Sequence, residues 1–366
     1  MNGKLSKWKI AFLIFLIVGT FYILRNHTPE VYTTNSGYIF GTQYNIKYKS
    51  VEDCHEEIKA TMMQVDNSLS MFNKSSIISA FNSNRDTIAN EMFTEVFNLA
   101  QEISKKTDGA FDITVAPLVN AWGFGFKKGE LPDSATVEEL RSKVGYTTVA
   151  LIDGKVVKQN PGTMLDCGAI AKGYGCDMVA RLLDSRNITD YMIEIGGEVV
   201  TKGKNDRGTD WNISISKPTE NTTGSHNEHQ RIIAISGKAM ATSGNYRNFR
   251  IENGKKYAHT IDPRTGYPVQ HSLLSATVIA ENCAKADAYA TSFMVMGLRR
   301  LLSCARATVL KRSSSTATKT AHCKPTQQQV SDKDIYKQKH SRRQLCGYVF
   351  VYSLNITPAT LYSLYL

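Results

Sequence analysis

HTIDPRTGYP, residues 259–268, places a histidine, an acid, an arginine, a glycine and two prolines within ten positions. Pro263 fixes its own φ and pushes Asp262 towards an extended backbone. Gly266 permits a turn with φ > 0, and Pro268 stiffens the exit. Such a segment is too constrained for a casual linker. By itself it reads as a rigid turn between strands that carries a surface histidine. His259 also has the proton chemistry of a general base near neutral pH, so the turn is also a candidate wall of a site.

The surroundings set the fold class. Immediately upstream, Asn253-Gly254 predicts a hairpin over 249–260, and Asp153-Gly154 predicts another over 149–157, because both dipeptides suit two-residue turns. Downstream, 275–280 reads as a strand and 283–296 as a helix. Ile58, Met62, Val65 and Leu69 recur at helical spacing in 51–70, and Met92, Val96, Leu99 and Ile103 mark a second helix. A glycine-rich corner leads into a third helix over 169–183. Strands are predicted over 38–48, 191–202, 211–217 and 231–236, with a polar, flexible loop over 218–230. Hairpins mixed with helices argue for an α+β fold with mixed or antiparallel sheets and packed helices, not a parallel doubly wound one.

Charge narrows the function. The chain carries a net charge of +11, but residues 298–366 hold 12 Lys and Arg against 2 Asp and Glu. The remainder is near neutral, so no basic face for nucleic acid is indicated. Seven cysteines without CxxC spacing form neither a disulfide framework nor a zinc pattern. Cys167 and Cys176 read as small buried thiols. At the amino end, Lys4, Lys7 and Lys9 precede an apolar run over 10–24 that Arg25 closes. This reads as a signal anchor in preference to a cleaved signal peptide over 1–25, with a polar linker over 26–36. The amino-terminal positive charge places the body outside the cytoplasm.

Three further segments carry chemistry. In LDCGAIAKGYGCD (165–177), glycines let a ligand approach the backbone, a helix start favours anions, and Lys172 adds a point charge. The spacing is neither a Walker loop nor a dinucleotide fingerprint. In AFDITVAPLVNAWGFG (110–125), alternating Phe111, Ile113 and Val115 suggest a buried strand in which Asp112 needs a partner. Trp122 and Phe124 read as core. In ADAYATSFMVMG (286–297), Asp287 and Thr291 are four apart and face one side of a helix; they are metal ligands or merely a cap and a packing residue.

These segments, with IGGEV (195–199), ATSGNYRNF (241–249) and HTIDPRTGYP, resemble in order and content the ApbE family, the FAD:protein FMN transferases. The resemblance covers roughly 37–297 and stops after Gly297. It implies a flavin transferase domain over 37–297 and an atypical basic tail over 298–366, disordered or out of frame, lacking the family's continuing helix and closing strand. It implies FAD as substrate, bound by Phe40, Phe72, Ala110, Phe111, Asp112, Asp166, Lys172 and Ile261. Relatives usually carry methionine at the Phe40 position. It implies Mg²⁺ held by the side chains of Asp287 and Thr291 and by backbone carbonyls of Ala169 and Ala290. His259 would deprotonate a Thr or Ser hydroxyl of a client flavoprotein, which takes FMN while AMP leaves. Asn245 stands where many relatives have Asp, and a changed hydrogen bond is expected there. The expected location is the inner or plasma membrane, with the catalytic domain on the periplasmic side. An FAD pyrophosphatase, a non-catalytic FAD-binding protein and an inactive truncation with a bare sheet edge are the alternatives.

Overall fold

Most neighbouring strands of the central sheet that are close in sequence are joined by tight turns. β1 (Tyr32–Ile39) and β2 (Thr42–Lys49) are joined through Phe40 and Gly41, both at positive φ (51° and 71°). β5 (Tyr191–Ile195) and β6 (Glu198–Lys202) are joined through Gly196 and Gly197, at φ 62° and 101°. The single strands expected over 38–48 and 191–202 are therefore corrected: the glycines reverse the chain in both. In the computed structural model, residues 7–26, 31–126, 129–216, 229–245, 248–297 and 349–354 are described.

β9 (Lys238–Gly244), β12 (Leu273–Ala280) and β13 (Val349–Leu354) complete a seven-stranded sheet of order β1-β2-β5-β6-β9-β12-β13, antiparallel throughout. Outside it, β3 (Val149–Ile152) with β4 (Lys155–Lys158), β7 (Trp211–Ser216) with β8 (His229–Ile235), and β10 (Phe249–Glu252) with β11 (Lys255–Ala258) form separate hairpins. The turns at Asp153-Gly154 and Asn253-Gly254 form as expected, each with both residues at positive φ. The β12 edge, which the truncated alternative would leave bare, carries β13. The remaining part of the basic tail lies outside the described residues, as do positions 218–228 of the expected polar loop.

Helices cover one face of the sheet. α2 (His55–Leu69) and α7 (Ala171–Ser185) pack on β2 and β5, where Ile46, Tyr48, Ile193 and Ile195 meet Ile58, Met62, Val179 and Leu183. α3 (Ile77–Asn82), α4 (Glu91–Lys106) and α8 (283–297) form a second cluster with Ala276, Val278 and Ala280 of β12. α4 begins because Asn90 accepts the Phe93 N–H at 2.8 Å, and it buries Phe93, Val96, Phe97, Ala100 and Ile103. On the opposite face, the β7–β8 hairpin packs Trp211, Ile213 and Ile235 against Val199, Met240 and Ile279. The inner strands β6, β9 and β12 are thus covered on both faces, so successive residues are buried, 198–201 in β6, 239–241 in β9 and 275–280 in β12. Two short helices, α5 (Ala116–Ala121) and α6 (Ser134–Arg141), enclose a small cluster of Leu118, Trp122, Val137 and Ile261 beside the sheet.

The buried strand expected over 111–115 is instead a turn that enters α5, with a single parallel bridge from Val115 to Met164. The cause is Asp112, whose Oδ1 accepts the N–H and hydroxyl of Thr114 at 2.8 and 2.6 Å. This side-chain turn competes with a strand ladder. At the amino end the apolar run forms α1 (Lys7–Asn26). Among the described residues no helix is long and apolar enough to cross a membrane, so the structure gives the expected spanning anchor no support.

Candidate functional site

The segments that carry chemistry in the sequence converge on one cleft with two lobes. The first, about 390 Å³, is walled by the 110–112 turn, the glycine corner at Asp166, Gly168 and Ala169, β9 at Thr242–Gly244, and the histidine segment. The second, about 730 Å³, lies between the β1–β2 turn and the end of α2, with Phe40, Leu69, Met71 and Phe72 on its walls. Asp166, Gly168 and Lys172 belong to both lobes. The corner therefore joins the two lobes of the cleft.

Local chemistry holds the corner in place. The Asp166 N–H donates to the Ile113 carbonyl at 2.6 Å, and its Oδ1 accepts the Gly168 N–H at 2.7 Å. Asn82 clasps the backbone of Leu165 in both directions, at 2.7 and 2.8 Å. Burial pushes the Asp166 carboxyl above the usual range, against the Gly168 bond. α7 begins at this corner and lies against α8. A Cβ on Gly173 would stand 2.6 Å from the Cys283 carbonyl carbon. One on Gly175 would stand 2.6 Å from the Phe40 ring. The two glycines thus let α8 and Phe40 approach the helix closely. Phe40 itself adopts a left-handed backbone that an aromatic residue seldom takes. Phe72 is 67% exposed and meets Phe126 edge to face at 5.3 Å.

Asp112 is buried and fully engaged, since its Oδ2 also accepts the Tyr146 N–H at 2.7 Å. Burial raises its pKa; its three hydrogen bonds oppose that. The partners that the sequence demanded are therefore the chain's own backbone and the Thr114 hydroxyl. Ala110 and Phe111 reach the first lobe beside it.

In the histidine segment, Asp262 forms a fork with Arg264 (2.8 and 2.7 Å), and its carbonyl accepts the N–H of Gly266 at 2.8 Å. Ile261 bridges Pro268, and Trp122 Nε1 donates to the Gly266 carbonyl at 2.8 Å. Trp122 is core, as expected; Phe124 is half-buried, edge-on to His259 at 6.3 Å. His259 Nδ1 lies 2.9 Å from the Asn248 carbonyl. A carbonyl can only accept, so Nδ1 carries the proton and Nε2 keeps its lone pair. Burial draws the His259 pKa below its ordinary value; the Asn248 bond opposes this and the Lys172 charge adds to it. Asn245 is buried and accepts the Thr260 hydroxyl at 2.6 Å, so it steadies the residue next to His259.

Asp287 and Ala290 are buried and are not among the residues lining the cleft, whereas Ala169 and Thr291 are. Asp287 Oδ2 accepts the Gly173 N–H at 3.1 Å, and Thr291 Oγ1 meets Ser243 Oγ at 2.9 Å. Two acids were missed in the sequence. Glu198, inside IGGEV, binds Lys172 Nζ through Oε1 at 2.9 Å, and its Oε2 is buried with no hydrogen-bond partner. Burial raises the Glu198 carboxyl against the opposing pull of Lys172. Burial acts to lower the Lys172 ammonium, but Asp287 and Glu198 outweigh it, so Lys172 stays charged. Asp177 accepts the N–H groups of Cys283 and Ala284 at 2.7 and 2.9 Å, capping α8 from another helix. Only the glutamate of IGGEV beside a lysine-bearing corner hinted at the first, and nothing local signalled the second. Among the described residues Cys54, Cys167, Cys176 and Cys283 are buried free thiols, Cys167 and Cys176 as expected.

Comparisons with known proteins agree on one family. The family model described as "ApbE family" matches residues 40–312, continuing past Gly297. The FAD:protein FMN transferase of Haemophilus influenzae is 40% identical over 279 residues, covering 72% of this chain and 80% of that protein. The flavin transferase ApbE from Vibrio cholerae superposes with a TM-score of 0.68 at 35% identity, covering 76% and 91% of the two chains. The apbe protein from Thermotoga maritima gives 0.67 at 28% identity, covering 78% and 92%.

Proposed function

This chain belongs to the ApbE family, and we propose that it transfers FMN from FAD to a Ser or Thr hydroxyl of a client flavoprotein, releasing AMP. The observation that carries the reading is the His259 arrangement: a proton fixed on Nδ1 by the Asn248 carbonyl, a free Nε2, and a place on the same cleft wall as Lys172 and Thr291. FAD would lie across both lobes with its pyrophosphate at the shared corner, near the α7 start and Lys172. The acceptor oxygen attacks the FMN-side phosphorus, and its proton passes to His259 Nε2. The bond from that phosphorus to the bridging oxygen breaks, AMP leaves with that oxygen, and FMN remains as a phosphoester. Asp166 and Asp112 keep the corner and the 110–112 turn in register beneath the phosphates.

The residues present fit a hard divalent cation. Asp287, Thr291 and the carbonyls of Ala169 and Ala290 are all oxygen donors, and the buried unpartnered oxygen of Glu198 adds negative charge alongside. Bound Mg²⁺ would neutralise charge on the pyrophosphate oxygens. Lys4, Lys7 and Lys9, ahead of the apolar run, support a signal segment with the domain on the periplasmic side of the inner membrane, where the client would be an extracytoplasmic flavoprotein.

The test uses the chain with FAD, Mg²⁺ and an acceptor domain, weighed by mass spectrometry. An acceptor gain of one FMN is expected, with the rate reduced roughly 10²–10⁴-fold in His259→Ala. AMP without acceptor gain would replace this reading by FAD hydrolysis. FAD binding with neither product would leave a binding protein.

A further inference from the structure

Two almost fully buried acids face one cation. Glu198, the first residue of β6, is 3% exposed, and Asp287 on α8 is 2% exposed. Lys172 Nζ lies between them, 2.9 Å from Glu198 Oε1 and 3.8 Å from Asp287 Oδ2. The two carboxyls share this one ammonium, and Glu198 Oε2 is left buried and without a hydrogen-bond partner on a residue that lines the cleft. A buried oxygen of this kind is costly unless something binds it. The lysine, by contrast, retains 28% side-chain exposure and has room to leave.

We propose that the Lys172 ammonium is a tethered stand-in for the divalent cation, competing with it for the Glu198–Asp287 carboxylate pair, and that Glu198 is a further acid setting the cation affinity. This rests on the proposed reading of Asp287 as part of the metal site. A cation next to Asp287 and the ammonium repel each other at these distances, so occupancy by one displaces the other. A displaced Lys172 turns towards the cleft, where a pyrophosphate is its natural partner. The coupling is reciprocal: pyrophosphate that engages Lys172 frees the carboxylates for the metal. Metal and FAD therefore bind with positive cooperativity that depends on Lys172.

The experiment titrates magnesium chloride alone into the full chain without FAD, by calorimetry and by the shift in thermal midpoint. Lys172→Met should bind Mg²⁺ roughly tenfold tighter than the unaltered chain, Lys172→Arg about equally, and Glu198→Gln roughly tenfold more weakly. A second titration, FAD with and without Mg²⁺, should show mutual enhancement in the unaltered chain and its loss in Lys172→Met. A folded Lys172→Met that binds Mg²⁺ equally or more weakly overturns the proposal, as does a Glu198→Gln with unchanged affinity. If Lys172→Met does not fold, the Glu198→Gln titration decides. An unaltered chain that takes up no Mg²⁺ overturns the underlying metal reading itself, and this inference with it.

Discussion

The histidine segment and the glycine corner face the same cleft but are held in different ways. In the histidine segment, Asp262 binds Arg264 and Gly266, partners within four residues of itself. At the corner, Gly173 meets Cys283 and Asp287, Asp177 caps α8, and Lys172 reaches Glu198. Those partners lie from 26 to 114 residues apart. One wall is shaped chiefly by local turn chemistry, with the Trp122–Gly266 bond as its long-range tie, and the other by the docking of two helices. Damage to the first should stay near His259, and damage to the second should spread through the core.

Gly173→Ala tests the contrast most severely. Its methyl would press on backbone atoms of Cys283 and Ala284 that cannot rotate away. A loss of about 3 kcal/mol is expected, at the upper end for overpacking, measured by denaturant unfolding and accompanied by weakened FAD binding. An alanine tolerated at under about 1 kcal/mol would show that the two helices are not locked together. Asp177→Ala comes next. It strands two N–H groups at the start of α8, at a cost of about 2 kcal/mol, and Asp177→Asn should recover part of it because its Oδ1 still accepts.

Arg264→Ala should cost no more than about 1 kcal/mol, since the pair it breaks is partly exposed. Its turnover should fall while the thermal midpoint hardly moves, and a large stability loss would erase the distinction between the walls. The smallest effect is a matter of pH. In the proposed transfer His259 acts through a neutral Nε2, and burial lowers its pKa below the ordinary histidine value of about 6.5. Activity should therefore persist as pH falls to 6.5 and decline only at lower pH. An acid limb centred above 6.5 would mean that the imidazole is not buried as described.

The same contrast explains what could be read beforehand. Asp153-Gly154 and Asn253-Gly254 announced their hairpins because a two-residue turn needs positive φ and those residues supply it. The α4 stripe announced itself by period. Alternation misled at Phe111, Ile113 and Val115, because Asp112 draws Thr114 and Tyr146 into a turn that no period reveals. The short helices α3, α5 and α6 escaped notice because six to eight residues are too few for a helical period to show. Of the expected site residues, His259, Lys172, Asp166, Thr291, Ala169, Ile261 and the 110–112 turn line the first lobe, and Phe40 and Phe72 line the second. Asp287 and Ala290 stand behind that surface.

By itself the sequence determined the family, the α+β class, the turns and the residue types at the cleft, because each depends on local backbone preference or on a motif. Only the tertiary structure decided that Glu198 shares Lys172 with Asp287, that Asp177 caps α8, and that Asn248 sets the His259 tautomer. Those pairings need groups from distant parts of the chain to be buried together, and burial is what makes an unpaired charge or N–H costly enough to require a partner.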